Sequence, residues 1–230
     1  MTSKTALIVG AGSGLSASLT RTLTREGYQC VLAARNIDKL AGLCAETGAR
    51  ALPCDVASQA DVARMFDQLD ADHAVPSVVI YNPSARVRGP MVDLDPVAVA
   101  GAINITAVGG FLVAQQAARR MLKAGSGTIV FTGASASVKG YPNSSVFAMG
   151  KFALRGLAQS MARELAPQGI HVAHVIIDGG IRAASRPEPV DSPDSMLAPD
   201  AIADSYLHLI KQPRNAWTWE IEVRPWVEKF

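Results

Sequence analysis

The chain has 230 residues, of which 49% are hydrophobic and 18% charged, with a formal net charge of +2. This composition excludes a disordered chain, and without a basic run there is no dedicated nucleic-acid surface. The apolar runs are of strand length, short of a bilayer span, so no membrane partner is expected. Only Met1-Thr-Ser-Lys4 precedes the first strand, which leaves no room for a leader, and Cys30, Cys44 and Cys54 lack metal-ligand spacing. They read as reduced thiols of a cytoplasmic protein that binds no metal.

In chain order, Thr5–Val9 is an apolar strand that runs into the turn Gly10-Ala-Gly12-Ser13-Gly14. Leu15, Leu19 and Leu23 then recur every four residues, so a helix begins at the last glycine. A strand entering a helix N-terminus through a turn without Cβ atoms is a place for a phosphate. Gly10, Gly12, Ser13, Gly14 and Leu15 are its candidate contacts. Gln29–Ala34 is a second strand, and Asn36 or Asp38 caps a helix carrying Leu40 and Leu43 and closed by Gly48. Ala49–Cys54 is a third strand, ending at Asp55-Val56, and Ser58 opens a helix with Val62, Met65, Phe66 and Leu69 on one face. Val78–Tyr81 is the fourth strand, followed by the loop Asn82–Pro90.

Asp95-Pro96 starts one long helix that runs to about Leu122 and is broken by Gly125-Ser-Gly127. Thr128–Thr132 is a strand, a second long helix runs from about Ser144 to Gln168, and Ile170–Ile177 is the sixth strand. Arg182–Pro199 is proline-bearing and aperiodic, a mobile surface segment, before a helix over Asp200–Ile210 and a last strand at Trp219–Val223. Continuous apolar strands alternating with helices predict an α/β fold. The expectation is one doubly wound domain over residues 1–230, with three layers and a parallel sheet of about seven strands.

In such sheets ligands sit at the carboxyl ends of the strands. The second strand ends at Ala34, followed by Arg35, where a carboxylate would hold a ribose 2′-hydroxyl. With a guanidinium there instead, a 2′-phosphate fits better, and NADP(H) is favoured over NAD(H). Arg35 as a plain solvated cation is the alternative.

These residues resemble the short-chain dehydrogenase/reductase family, and the resemblance covers nearly the whole chain. The glycine turn is similar to that family's Gly-x-x-x-Gly-x-Gly, with Gly10 and Gly14 in place and Ser16 at the third glycine. Asp55-Val56 matches the pair that binds adenine, and Asn82-Pro83-Ser84-Ala85 stands where Asn-Asn-Ala-Gly is usual. Asn104 matches the asparagine of the proton relay, and Asp178-Gly179-Gly180-Ile181 occupies the Pro-Gly position at the nicotinamide carboxamide. The resemblance implies a Rossmann-type domain, a small-molecule substrate, and a homodimer or homotetramer built on the long helices.

It also implies a Tyr-x-x-x-Lys pair, which shares one helix face so that the ammonium acidifies the phenol. Lys151 is present, but the tyrosine position is Phe147, which has no ionisable proton. Ser135 stands twelve residues before Phe147, where it either orients the substrate oxygen or satisfies turn backbone; thirteen residues gives Ala134. Tyr141 is the candidate replacement acid, or an ordinary loop tyrosine. Two readings follow. One is an oxidoreductase on a small carbonyl or alcohol with an atypical proton path through Lys151, Ser135, Asn104 and either water or Tyr141. The other is a non-catalytic NADP(H)-binding sensor or subunit. Lost acid–base assistance costs about 10²–10⁴ in rate, which weakens the first without excluding it. The segment 182–199 holds the place of the family's substrate lid. Arg86, Arg88, Arg182 and Arg186 would give the cleft a positive rim suited to a carboxylate, or are solvated arginines.

Overall fold

In a computed structural model, which describes residues 4–229, the buried apolar runs pair side by side. The strands are β1 (Lys4–Val9), β2 (Tyr28–Ala34), β3 (Arg50–Pro53), β4 (Pro76–Tyr81), β5 (Gly127–Thr132), β6 (Ile170–Ile177) and β7 (Glu220–Val223). They form one seven-stranded sheet in the order β3-β2-β1-β4-β5-β6-β7, with every pair parallel. The helices are α1 (Leu15–Arg25), α2 (Ala41–Thr47), α3 (Gln59–Ala71), α4 (Pro96–Ile103), α5 (Gly109–Ala124), α6 (Ser145–Leu165) and α7 (Pro199–Lys211). Leu7, Val9, Val79, Tyr81, Ile129 and Phe131 pack into one buried cluster with residues of α3, α5 and α6. Ala6, Ile8, Val78, Ile80, Val130 and Val175 pack into another with residues of α1 and α7. Because both faces of the strands are covered, the strands read as unbroken apolar runs. The doubly wound parallel sheet expected from the sequence is the one that forms.

The helix starts follow local chemistry. Ser58 accepts the Asp61 N–H at the start of α3, and Asp95 accepts the N–H groups of Val97 and Ala98 at the start of α4, with Pro96 in its first turn.

The expected single helix from Pro96 to Leu122 is interrupted. Between α4 and α5 the chain makes a π turn over Asn104–Val108. Distant residues account for it. The Tyr81 hydroxyl donates to the Ile105 carbonyl, and the Thr106 hydroxyl accepts the Ala85 N–H at 3.0 Å. Gly109 lets α5 come this close: a Cβ there would lie 2.6 Å from the Tyr81 hydroxyl. The combined helix, Pro96–Ala124, is long and apolar enough by length and composition to cross a membrane. The expectation that every apolar run is strand-sized therefore fails for this helix, whose Val113, Ala114, Ala117 and Met121 are buried in the core.

At the other side of the sheet, Glu220 on β7 ties three elements together. Its carboxylate takes two hydrogen bonds from Arg155 of α6, both at 2.7 Å, and lies 3.0 Å from Nδ1 of His174 on β6. The other ring nitrogen of His174 is 3.4 Å from the Ser137 hydroxyl. Burial drives the His174 pKa down to about 4 from 6.5, although Glu220 pulls the other way. Between those two values the unfolded chain binds the extra proton, so stability falls as pH drops through that window. The melting temperature should therefore be lower at about pH 5 than at about pH 7.5, and His174→Gln should flatten that dependence. Equal acid losses in the two proteins would remove His174 as its source.

Candidate functional site

The chain leaves β1 toward β2 and leaves β4 toward β5, so the connections diverge and a crevice opens at the carboxyl ends of the two central strands. Two adjoining cavities occupy it, of about 640 Å³ and about 510 Å³, and both are lined by Asn82 and Ser84. Gly10, Arg35, Asp55, Val56 and Pro83 line the first. Gly14, Leu15, Phe147, Lys151, Gly179 and Ile181 line the second. Gly12 and Ser13 complete the glycine turn and line neither.

Gly10 has a φ of +79°, and a Cβ on it would lie 2.8 Å from the Pro83 ring. Glycine is required there on both counts. Ser16, which sequence comparison marks only as a missing glycine, is a working part of the turn. Its hydroxyl donates to the Gly10 carbonyl at 3.2 Å and accepts the Asn82 side-chain N–H at 2.8 Å. At the end of β2, Arg35 is joined on the cavity wall by Lys39. The sequence reading missed Lys39, although its spacing of four from Arg35 was visible. Asp55 accepts the Ala57 N–H at 3.0 Å. Asn104 donates to the Ala57 carbonyl at 3.2 Å and so ties the π turn to the loop after β3, without lining either cavity.

Lys151 is only 2% exposed, and its ammonium donates to the Thr132 carbonyl at 2.6 Å. Burial, reinforced by the nearby Arg86, lowers its pKa to about 7. Phe147 lies one turn earlier on α6. The Arg86 guanidinium sits over its ring at 4.0 Å from the centroid, and the Lys151 nitrogen is 5.8 Å from the same point.

Two expected hydroxyls are not on the cavity wall. The extended backbone of β5 continues to Ala134 and turns at Ser135, so the wall residue is the alanine. Ser135 instead uses its carbonyl to accept the N–H groups of Val138 and Lys139. Tyr141 is 43% exposed in the turn that opens α6, outside both cavities.

Segment 182–199 reaches the second cavity through Arg182, Ala183 and Arg186. Its ends are bridged: Leu197 donates to the Gly180 carbonyl and accepts from the Arg182 N–H, each at 2.9 Å. Gly179, at a φ of +136°, holds the entry to this segment against Pro225. Among the histidines, His171 donates its Nε2–H to the Thr218 carbonyl at 2.9 Å and stacks on Trp217, while His174 lies on the other sheet face with Glu220.

A doubly wound sheet with this order and a glycine turn at its switch point defines the dinucleotide-binding α/β class. The chain belongs to the short-chain dehydrogenase family, whose model, described as "short chain dehydrogenase", matches residues 4–188. The crystal structure of a short-chain dehydrogenase from Rhodopseudomonas palustris is similar, with 36% identity, a TM-score of 0.83, and coverage of 97% of this chain and 99% of that one. A metagenomic short-chain oxidoreductase solved in complex with NADP has 25% identity and a TM-score of 0.85, covering 96% of this chain and 97% of its own. An uncharacterized oxidoreductase of Staphylococcus aureus (strain N315) is 28% identical over 98% of both chains.

The glycine turn gives a clean stability test. Gly10→Ala should destabilise the protein by about 1–3 kcal/mol in denaturant unfolding. Gly12→Ala, where a Cβ meets nothing within 4 Å, should change little. Equal effects of the two would show that the contact with Pro83 does not constrain the turn.

Proposed function

We propose that the protein is an NADP(H)-dependent oxidoreductase acting on a small carbonyl or alcohol, with a proton path that bypasses the tyrosine position. Lys151 carries the reading. A buried ammonium whose one hydrogen bond is to a backbone carbonyl is costly to keep, and it lies on the wall of the cavity that adjoins the glycine turn. In this family that position holds the nicotinamide ribose. The first cavity fits the dinucleotide: the glycine turn opens onto it at Gly10, and Arg35 and Lys39 stand on its wall to meet a 2′-phosphate where β2 ends in Ala34. The NADP complex of the metagenomic relative supports the same choice.

When bound, the dinucleotide supplies or accepts the hydride. Phe147, in the place of the family's phenol, and Ala134, in the place of its serine, supply no proton. Lys151 titrates near pH 7, so it is the group on this wall suited to pass a proton through water at neutral pH. Carbonyl reduction should then fall as pH rises through about 7 and the ammonium is lost.

The two missing hydroxyls favour a second reading, a non-catalytic NADP(H)-binding sensor or subunit. Titration of NADPH and NADH, followed by a carbonyl panel on wild type, Phe147→Tyr and Lys151→Ala, separates the two. NADPH should bind about tenfold tighter than NADH, and Arg35→Ala should narrow that gap. Wild-type turnover that disappears in Lys151→Ala supports the first reading, whereas activity seen only in Phe147→Tyr selects the second. Binding of neither dinucleotide would overturn both.

We also read residues 1–230 as one domain, because both core clusters flank one sheet. That Cys30, Cys44 and Cys54 are all free supports a reducing, cytoplasmic setting. A homodimer or homotetramer is supported by exposed apolar side chains on the long helices, Val97, Phe111, Met149 and Phe152. Size-exclusion chromatography at micromolar concentration should give a mass above the monomer, and a monomeric volume would count against it.

A further inference from the structure

The second cavity has an unbalanced charge. Arg86, Lys151, Arg182 and Arg186 all line it, and among the described residues no aspartate or glutamate does. Three of these cations already have polar partners. Lys151 donates to the Thr132 carbonyl, and Arg182 lies 3.5 Å from Glu188. Arg186 gives its Nε to the Ile181 carbonyl at 3.0 Å and, among the described residues, has no carboxylate at ion-pair distance. Arg86 has none either; its guanidinium rests on the face of Phe147. Ring faces attract cations but leave the charge uncompensated. Burial, with Arg88 and Arg186 adding repulsion, lowers the Arg86 pKa. Like charges gathered on a low-dielectric wall without a counterion are unfavourable until an anion arrives.

We propose that this cavity binds a small oxo or hydroxy acid, with Arg86 and Arg186 taking its carboxylate. The guanidinium fork matches a carboxylate in two hydrogen bonds, as an ammonium does not. Phe147 then has a positive role: its ring is the platform that holds Arg86 beside Lys151. A carboxylate next to the reacting carbon would place the carbonyl oxygen toward the ammonium and the acid group toward the arginines. This deepens the oxidoreductase reading and rests on it for the identity of the reacting carbon, though not for the anion site. The rival occupant of the same charge is the dinucleotide's own phosphate, because Gly14 and Leu15 line this cavity too.

Calorimetric titration of malonate and of malonamide, its neutral analogue, tests the site in the protein alone and in the protein with NADPH. Malonate should bind and malonamide should not, and Arg86→Gln should weaken malonate about tenfold or more while NADPH affinity changes little. Arg186→Gln should weaken malonate by a smaller factor. Equal binding of malonate and malonamide, or malonate unaffected by Arg86→Gln, would overturn the proposal. So would a parallel loss of NADPH affinity, which would assign Arg86 to the cofactor phosphates, or inorganic phosphate binding more tightly than malonate. Malonate binding that follows Arg86 in a protein with no carbonyl turnover would leave the anion site standing and remove the oxidoreductase reading instead.

Discussion

The hydroxyl of Ser16 joins the two strands between which the whole crevice opens. It donates to the carbonyl of Gly10 at the end of β1 and accepts from the side chain of Asn82 at the end of β4. The Asn82 backbone N–H adds a bond to the Val9 carbonyl at 3.0 Å. Parallel pairing holds β1 and β4 along their length, but at the switch point their chains depart in opposite directions. Each of these bonds contributes only about 1 kcal/mol, yet together they set where the helix N-terminus of α1 stands relative to the loop after β4. That loop in turn carries Ser84 and Arg86 into the second cavity, so the two cavities keep a fixed relation.

The second determinant is a balance of charge. Lys151 is held in the core by one carbonyl, with a guanidinium rather than a carboxylate as its charged neighbour. The Phe147 ring lies near both cations, its centroid 4.0 Å from the Arg86 guanidinium and 5.8 Å from the Lys151 nitrogen. The face of Phe147 is the surface on which the Arg86 guanidinium rests.

Much of the fold was legible because a sheet covered on both faces writes itself as apolar runs. β4 is the clearest case, with Val78, Val79, Ile80 and Tyr81 consecutive and all buried. The caps at Ser58 and Asp95 were legible for an equally local reason. The π turn at Asn104–Val108 was not. Helical periodicity runs through it, and its causes, Tyr81 and Ala85, lie about two dozen residues earlier in the chain. Spacing left open whether Ser135 or Ala134 reaches the site, because the answer depends on where β5 stops being extended. Ser16 was visible only as an absent glycine, since its role is a contact with Asn82 across the sheet. Arginines from two distant loops could be suspected of forming a rim; that Arg86 settles on Phe147 needed the packing of α6.

The bridging of Leu197 to Gly180 and Arg182 has a consequence for how the segment above the second cavity can move. A loop whose ends are free must lose chain entropy each time it settles over a ligand. Here the ends are already stitched together, and Glu188 adds an internal tie to the Met196 N–H at 3.0 Å. A ligand that orders this segment would meet a loop already joined at its base. Contacts it makes with the segment would then lose less of their free energy to ordering the chain.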